Sequence, residues 1–107
     1  MNTNPAHGEV WVADFGLVAK TRPVLVLSDG RNDDARALVI VAPLTSQIRN
    51  QRGEVPLGKI KWLPKPSAVN VQGLSSIGKH VLERRIGTLG DAQLESVKDA
   101  IRDLLGL

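Results

Sequence analysis

The sequence predicts a mainly β protein with helices: an antiparallel β-barrel carrying one C-terminal amphipathic helix. Three observations lead there. Short runs rich in β-branched residues recur along the first part of the chain, separated by clusters of Gly, Pro and Asp. Two of these runs, Pro23–Leu27 and Ala37–Ala42, are apolar at every position. Both faces of those strands then need cover, as in a closed barrel overlaid by a helix or a second subunit. Near the C-terminus the apolar residues change to a helical period. With 107 residues, 42% apolar and 23% charged, the chain has the size and composition of a single folded domain spanning 1–107.

Residues 1–7 are expected to form a flexible tail. Glu9–Phe15, with Val10, Trp11 and Val12 and Gly16 after it, is the first strand. Pro23–Leu27 and Ala37–Ala42 are the second and third, joined through the turn-rich Ser28–Asp34. Between Gln47 and Pro66, the residues Gly53, Pro56, Gly58, Pro64 and Pro66 limit any strands, about Glu54–Leu57 and Lys59–Leu63, to short or edge ones. Ala68–Gln72 alternates as a strand does, and Glu83–Thr88 supplies one more. Leu94, Val97, Ala100, Ile101, Leu104 and Leu105 then fall at helical spacing, with Asp91 placed to cap the first turn and Gly106 to end the helix. Glu95, Lys98, Asp99, Arg102 and Asp103 form its solvated face.

Several chemistries are excluded by composition. There is no Cys, hence no disulfide, thiolate metal site or thiol nucleophile. The two histidines, His7 and His80, sit in polar segments and form no metal pattern, so no metal and no cofactor is expected. Phosphate-binding loops, dinucleotide fingerprints and nucleophile elbows are missing. Neither a signal peptide nor a membrane-spanning run is present, so a soluble cytoplasmic protein without membrane contact is expected. Charge points to a polyanionic partner. The chain carries a formal +3, and between Arg49 and Lys65 five cations face one carboxylate, a local +4.

A site emerges from strand order. If the second and third strands pair antiparallel, the start of one lies beside the end of the other, and Arg22 and Thr45 become neighbours. The guanidinium fork matches phosphate oxygens and a Thr hydroxyl adds a donor, so the pair suits a phosphodiester. Spacing alone also allows a solvated Arg22 and a turn-stabilising Thr45.

Four segments, in order, carry a resemblance: Gly8-Glu-Val-Trp-Val-Ala-Asp-Phe15, Arg22-Pro-Val-Leu-Val-Leu-Ser28, Val39-Ile-Val-Ala-Pro-Leu-Thr-Ser46, and Val71-Gln72 with Arg85-Ile-Gly-Thr-Leu89. Together they resemble the MazF/PemK family of type II toxins, the mRNA interferases. The resemblance implies an SH3-like antiparallel barrel, a homodimer, and a metal-independent endoribonuclease that cleaves single-stranded RNA. It also implies a cognate antitoxin protein that fills the dimer groove, with DNA met only through that antitoxin. On the matching positions Arg22 is the main catalytic residue and Thr45 its partner. Attack by a ribose 2′-OH builds negative charge on the phosphate oxygens, which a preorganised guanidinium and hydroxyl stabilise. Two departures stand out. Val71 and Leu74 occupy places where relatives carry Asp and Arg, and the loop Gly16–Thr21 is short, so no RNA sequence preference is carried over.

Around this pair, Lys20, Ser46, Arg49, Lys61 and Gln72 are candidate RNA-binding residues, the cations for the backbone and Gln72 for a base edge or phosphate. Trp11 and Trp62 are expected in packing, although Trp62 is also suited to stack on a base. Two other readings remain at this point. One is a module of the same fold that binds RNA or protein without turnover. The other is a CcdB-like gyrase inhibitor, which requires a Trp-Gly-Ile terminus where this chain ends Leu105-Gly106-Leu107.

Overall fold

A computed structural model describes residues 4–16, 20–29 and 37–107. The strands are β1 (Glu9–Ala13), β2 (Arg22–Val26), β3 (Leu38–Thr45), β4 (Glu54–Gly58), β5 (Ser67–Asn70), β6 (Ser75–Gly78) and β7 (Leu82–Thr88), followed by the helix α1 (Asp91–Leu105). They form one antiparallel sheet in the order β4-β5-β3-β2-β1-β7, with β6 also on β3. The sheet-dominated fold with its C-terminal helix is as expected, but the barrel is not closed by strand pairing: β4 and β7 end the order unpaired with each other. The reason lies on β4. Pro56 removes a donor there, and Gln93 of α1 donates to the Leu57 carbonyl at 2.9 Å, so a helix covers the edge where another strand would bond.

β3 is the strand that bends the sheet. Leu38–Val41 pair with β6, Leu44 and Thr45 pair with β5, and Ala42 and Pro43 between them pair with β2 alone. The change of neighbour thus falls at a residue without an N–H. The strand expected to end at Ala42 runs on through Thr45. Side chains alternate between two cores. Val10, Leu25, Ala42 and Leu44 join Val69, Val71 and Val97 of α1 on one face, while Val24, Val26, Val39 and Val41 join Ala13 and Leu82 on the other. Cover on both faces holds for β2. It fails at the start of β3, where Leu38 and Ile40 are 43% and 44% exposed.

Other expectations shift for local reasons. β1 ends at Ala13 rather than Phe15 because the Asp14 carboxylate accepts the Gly16 N–H at 2.9 Å and turns the chain. Lys59–Leu63 is a turn, not a strand, closed by the Leu63 N–H donating to the Ile60 carbonyl; it lays Trp62 over Gly87, where any Cβ would overlap the indole. After β5 the chain tightens into a 3-10 turn, Val71–Gly73, so the strand expected to Gln72 ends at Asn70. β6 was not anticipated. In α1, Gly90 holds the N-cap position without a side-chain bond and Asp91 is the first helical residue, where it still faces the positive end of the helix dipole. Leu105 is 54% exposed, outside the packed stripe of Leu94, Val97, Ile101 and Leu104. Gly106 ends the helix in the left-handed region, φ 71°, as expected.

The flexible tail expected over 1–7 does not describe residues 4–7. Pro5 is buried, the Ala6 N–H donates to Glu9 Oε1 at 2.8 Å, and His7 Nδ1 lies 2.6 Å from the Leu27 carbonyl. Residues 1–3, residues 17–19 of the loop Gly16–Thr21 and most of the Ser28–Asp34 turn lie outside the described residues. Among those described, no helix is long and apolar enough to cross a membrane.

Candidate functional site

Strand register builds the site. β1 pairs Ala13 with Arg22, β2 pairs Val24 with Pro43, and β3 pairs Thr45 with Ala68. The β2–β3 pairs stop at Val24 and Pro43, so Arg22, two residues before Val24, and Thr45, two residues after Pro43, lie beyond the same end of that ladder. Arg22 and Thr45 thus stand at one end of the sheet. Both line two adjoining clefts, of about 340 and 190 Å³. Ser46, Gln47, Lys65 and Ser67 join them in the larger; Arg49, Gln51, Glu54 and Asn70 join them in the smaller. Arg22 also borders a third cleft, of about 320 Å³, with Phe15, Pro43 and Ser75.

Each member has donors to spare. Thr45 Oγ1 accepts the Gln47 N–H at 3.1 Å, the turn-stabilising contact, and that bond leaves the hydroxyl proton free for a ligand oxygen. Arg22 is exposed, and among the described residues no carboxylate pairs with it. A guanidinium without a counter-ion, beside a free hydroxyl, favours an anion.

The remaining candidates separate. Ser46 lines the larger cleft and Arg49 the smaller. Lys20 is exposed in the segment entering β2 but lines neither. Lys61 borders a different cleft, of about 370 Å³, with Lys59, Ile60 and Pro66. Gln72 is turned to the backbone: its Nε2 donates to the Arg52 carbonyl at 2.8 Å. Arg52 itself is engaged, holding the Asp103 carboxylate and carbonyl at 3.0 Å each, so the basic stretch offers less free charge than its count. Lys65 enters the sequence reading only as the end of the basic stretch, and Ser67, Glu54 and Asn70 are not among its site candidates. Only the pairing of β3 with β5 and of Glu54 with Asn70 brings them to Arg22, and nothing local in the sequence marks that.

Among the described residues, no cluster of three His, Asp or Glu side chains is placed to hold a metal. One carboxylate has a displaced titration. Burial raises the Glu9 value, but bonds from the Ala6 N–H, Trp11 Nε1 and Arg85, together with the Arg85 charge, outweigh it and hold the carboxyl below its ordinary range. Glu9 is on β1, away from the clefts.

Comparison with known proteins gives the class to which this fold belongs, a family of small toxins. The profile of the "PemK-like, MazF-like toxin of type II toxin-antitoxin system" matches residues 6–105. This chain belongs to that family. It is similar to "Probable endoribonuclease MazF5" of Mycobacterium tuberculosis, 34% identical over 94% of this chain and 93% of the relative. Among solved structures, Mycobacterium tuberculosis toxin MazF-mt6 superposes with a TM-score of 0.80 at 30% identity, over 92% of this chain and 97% of that one. A mycobacterial endoribonuclease in complex with its cognate antitoxin gives 0.80 at 26% identity, over 100% and 97%.

Proposed function

We propose that this chain is the toxin of a toxin-antitoxin pair and an endoribonuclease that cuts single-stranded RNA at Arg22 and Thr45. The observation that carries the reading is that Arg22, with no carboxylate paired to it among the described residues, and Thr45, with its hydroxyl proton free, line the same open cleft. Its relatives bear the name endoribonuclease, and one is solved with its antitoxin. The cleavage needs no metal in this reading. The ribose 2′-oxygen attacks the adjacent phosphorus, charge grows on the non-bridging oxygens, and Arg22 with Thr45 stabilises it as it develops. A guanidinium is a poor general acid, so Arg22 acts through its charge. The products are a 2′,3′-cyclic phosphate and a 5′-OH end. Ser46 and Arg49 border the clefts and hold flanking phosphates. Lys20, Lys61 and Gln72 lie outside those two clefts and meet more distant nucleotides.

A second copy of the chain and an antitoxin protein complete the assembly in this reading, and the cytoplasm, where the RNA is, is its compartment. The test is incubation of the pure protein with a mixed single-stranded RNA in EDTA. New 5′-OH and cyclic phosphate ends are expected; intact RNA beside a cutting control rejects the activity. Saturable binding without new ends would favour the module without turnover.

A further inference from the structure

We propose that Glu54 is the general base of this reaction, the group that takes the proton from the attacking 2′-OH. The inference rests on the endoribonuclease reading. Arg22 and Thr45 are both donors, so they stabilise charge but accept no proton in its early stages. A proton acceptor has to come from elsewhere. Among the described residues that line the three clefts Arg22 borders, Glu54 is the one carboxylate. His7 is bonded to the Leu27 carbonyl and His80 stands against Gly78, and neither lines these clefts.

The carboxylate is also held in place. Glu54 opens β4, directly paired with Asn70, which lines the same cleft. Its Oε1 accepts the N–H of Arg49 at 2.9 Å and, at 3.4 Å, that of Gln51, while its own N–H donates to the Gln51 carbonyl at 3.1 Å. The tight turn that permits this has Asn50 at φ 54° and Gly53 at φ 89°. Both oxygens cannot be engaged this way: among the described residues Oε2 has no partner. One oxygen anchors the side chain and the other is free for a proton. The charged groups that share the smaller cleft are Arg22 and Arg49.

The step balances. Glu54 Oε2 takes the 2′-proton as the 2′-oxygen bonds to phosphorus; the P–O5′ bond breaks, water in the open cleft protonates the leaving 5′-oxygen, and Glu54 returns its proton to solvent. No oxidant, metal or cofactor enters.

Glu54→Gln separates this role from a structural one, since the amide oxygen still accepts from Arg49 and Gln51 and only the base is lost. Two readouts are taken: the single-turnover cleavage rate of single-stranded RNA, and the affinity for the same RNA methylated at every 2′-oxygen, which cannot be cut. The expected result is cleavage slowed by about 100-fold or more, with affinity for the methylated RNA unchanged or tighter, because a negative charge has left a phosphate-binding cleft. Glu54→Asp, which keeps the carboxylate on a shorter stem, is expected to recover part of the rate. Unchanged cleavage by Glu54→Gln overturns the assignment, and so does a loss of cleavage matched by an equal loss of affinity, which marks a scaffold. A wild type that binds RNA without cutting it instead overturns the endoribonuclease reading, and the base with it; failure of the base alone leaves the wild type active.

Discussion

Thr45 carries two duties at once, and they can be separated by substitution. Its oxygen caps the Gln47 N–H and its proton remains for substrate. Thr45→Val removes both, and cleavage is expected to fall by about 10- to 100-fold, whereas Thr45→Ser keeps the hydroxyl and stays within a few-fold of wild type. Single-turnover rates distinguish the two. Glu9 gives a pH-dependent prediction. Its carboxyl is held below its ordinary 4.5 by hydrogen bonds and by Arg85, so its contribution to stability is complete above that value and is lost as pH falls through the lower folded one. Glu9→Gln is expected to cost about 1–3 kcal/mol at pH 7, and the difference in urea unfolding from wild type should shrink below pH 4.5. At this scale the shared location of Arg22 and Thr45 follows from two apolar strands laid antiparallel, the start of one meeting the end of the other. Glu54 and Asn70 are not legible in that way, because their approach depends on β4 and β5 returning to β3 across the chain.

Elements with a dense β-branched signal were easy to read: β1, β2 and the first half of β3 owe their pairing to Val, Ile and Leu on both faces. β6 had no such signal. Ser75-Ser-Ile-Gly78 is short, polar and closed by glycine, and it is a strand because β3 offers it four ladder positions. Lys59–Leu63 is the reverse case, a segment expected as a strand in which Gly58 and Pro64 on either side produce a turn. That turn docks Trp62 onto β7. Gly87→Ala is expected to force the indole off its seat and destabilise the fold by about 1–3 kcal/mol, read as a lower midpoint in chemical unfolding. Because Gly87 and Trp62 stand apart from the clefts, cleavage by the fraction still folded should be unchanged.

At the scale of the molecule, the open sheet leaves work for a partner. Leu38 and Ile40 are exposed side by side in alternation on β3, and the proposed dimer places a second copy over them. Ile40→Lys is expected to shift the protein to monomer in light scattering at micromolar concentration; an unchanged dimer would move the interface elsewhere. The expected barrel closure was the part of the architecture that sequence could not supply, since it depends on whether β4 meets another strand or a helix. The account as a whole depends on charge stabilisation by the unpaired guanidinium, and its most direct test is the single-turnover cleavage of single-stranded RNA by Arg22→Ala in EDTA. A fall of about 100-fold or more, in a protein whose unfolding midpoint matches wild type, is the predicted result. Cleavage at the wild-type rate would contradict it.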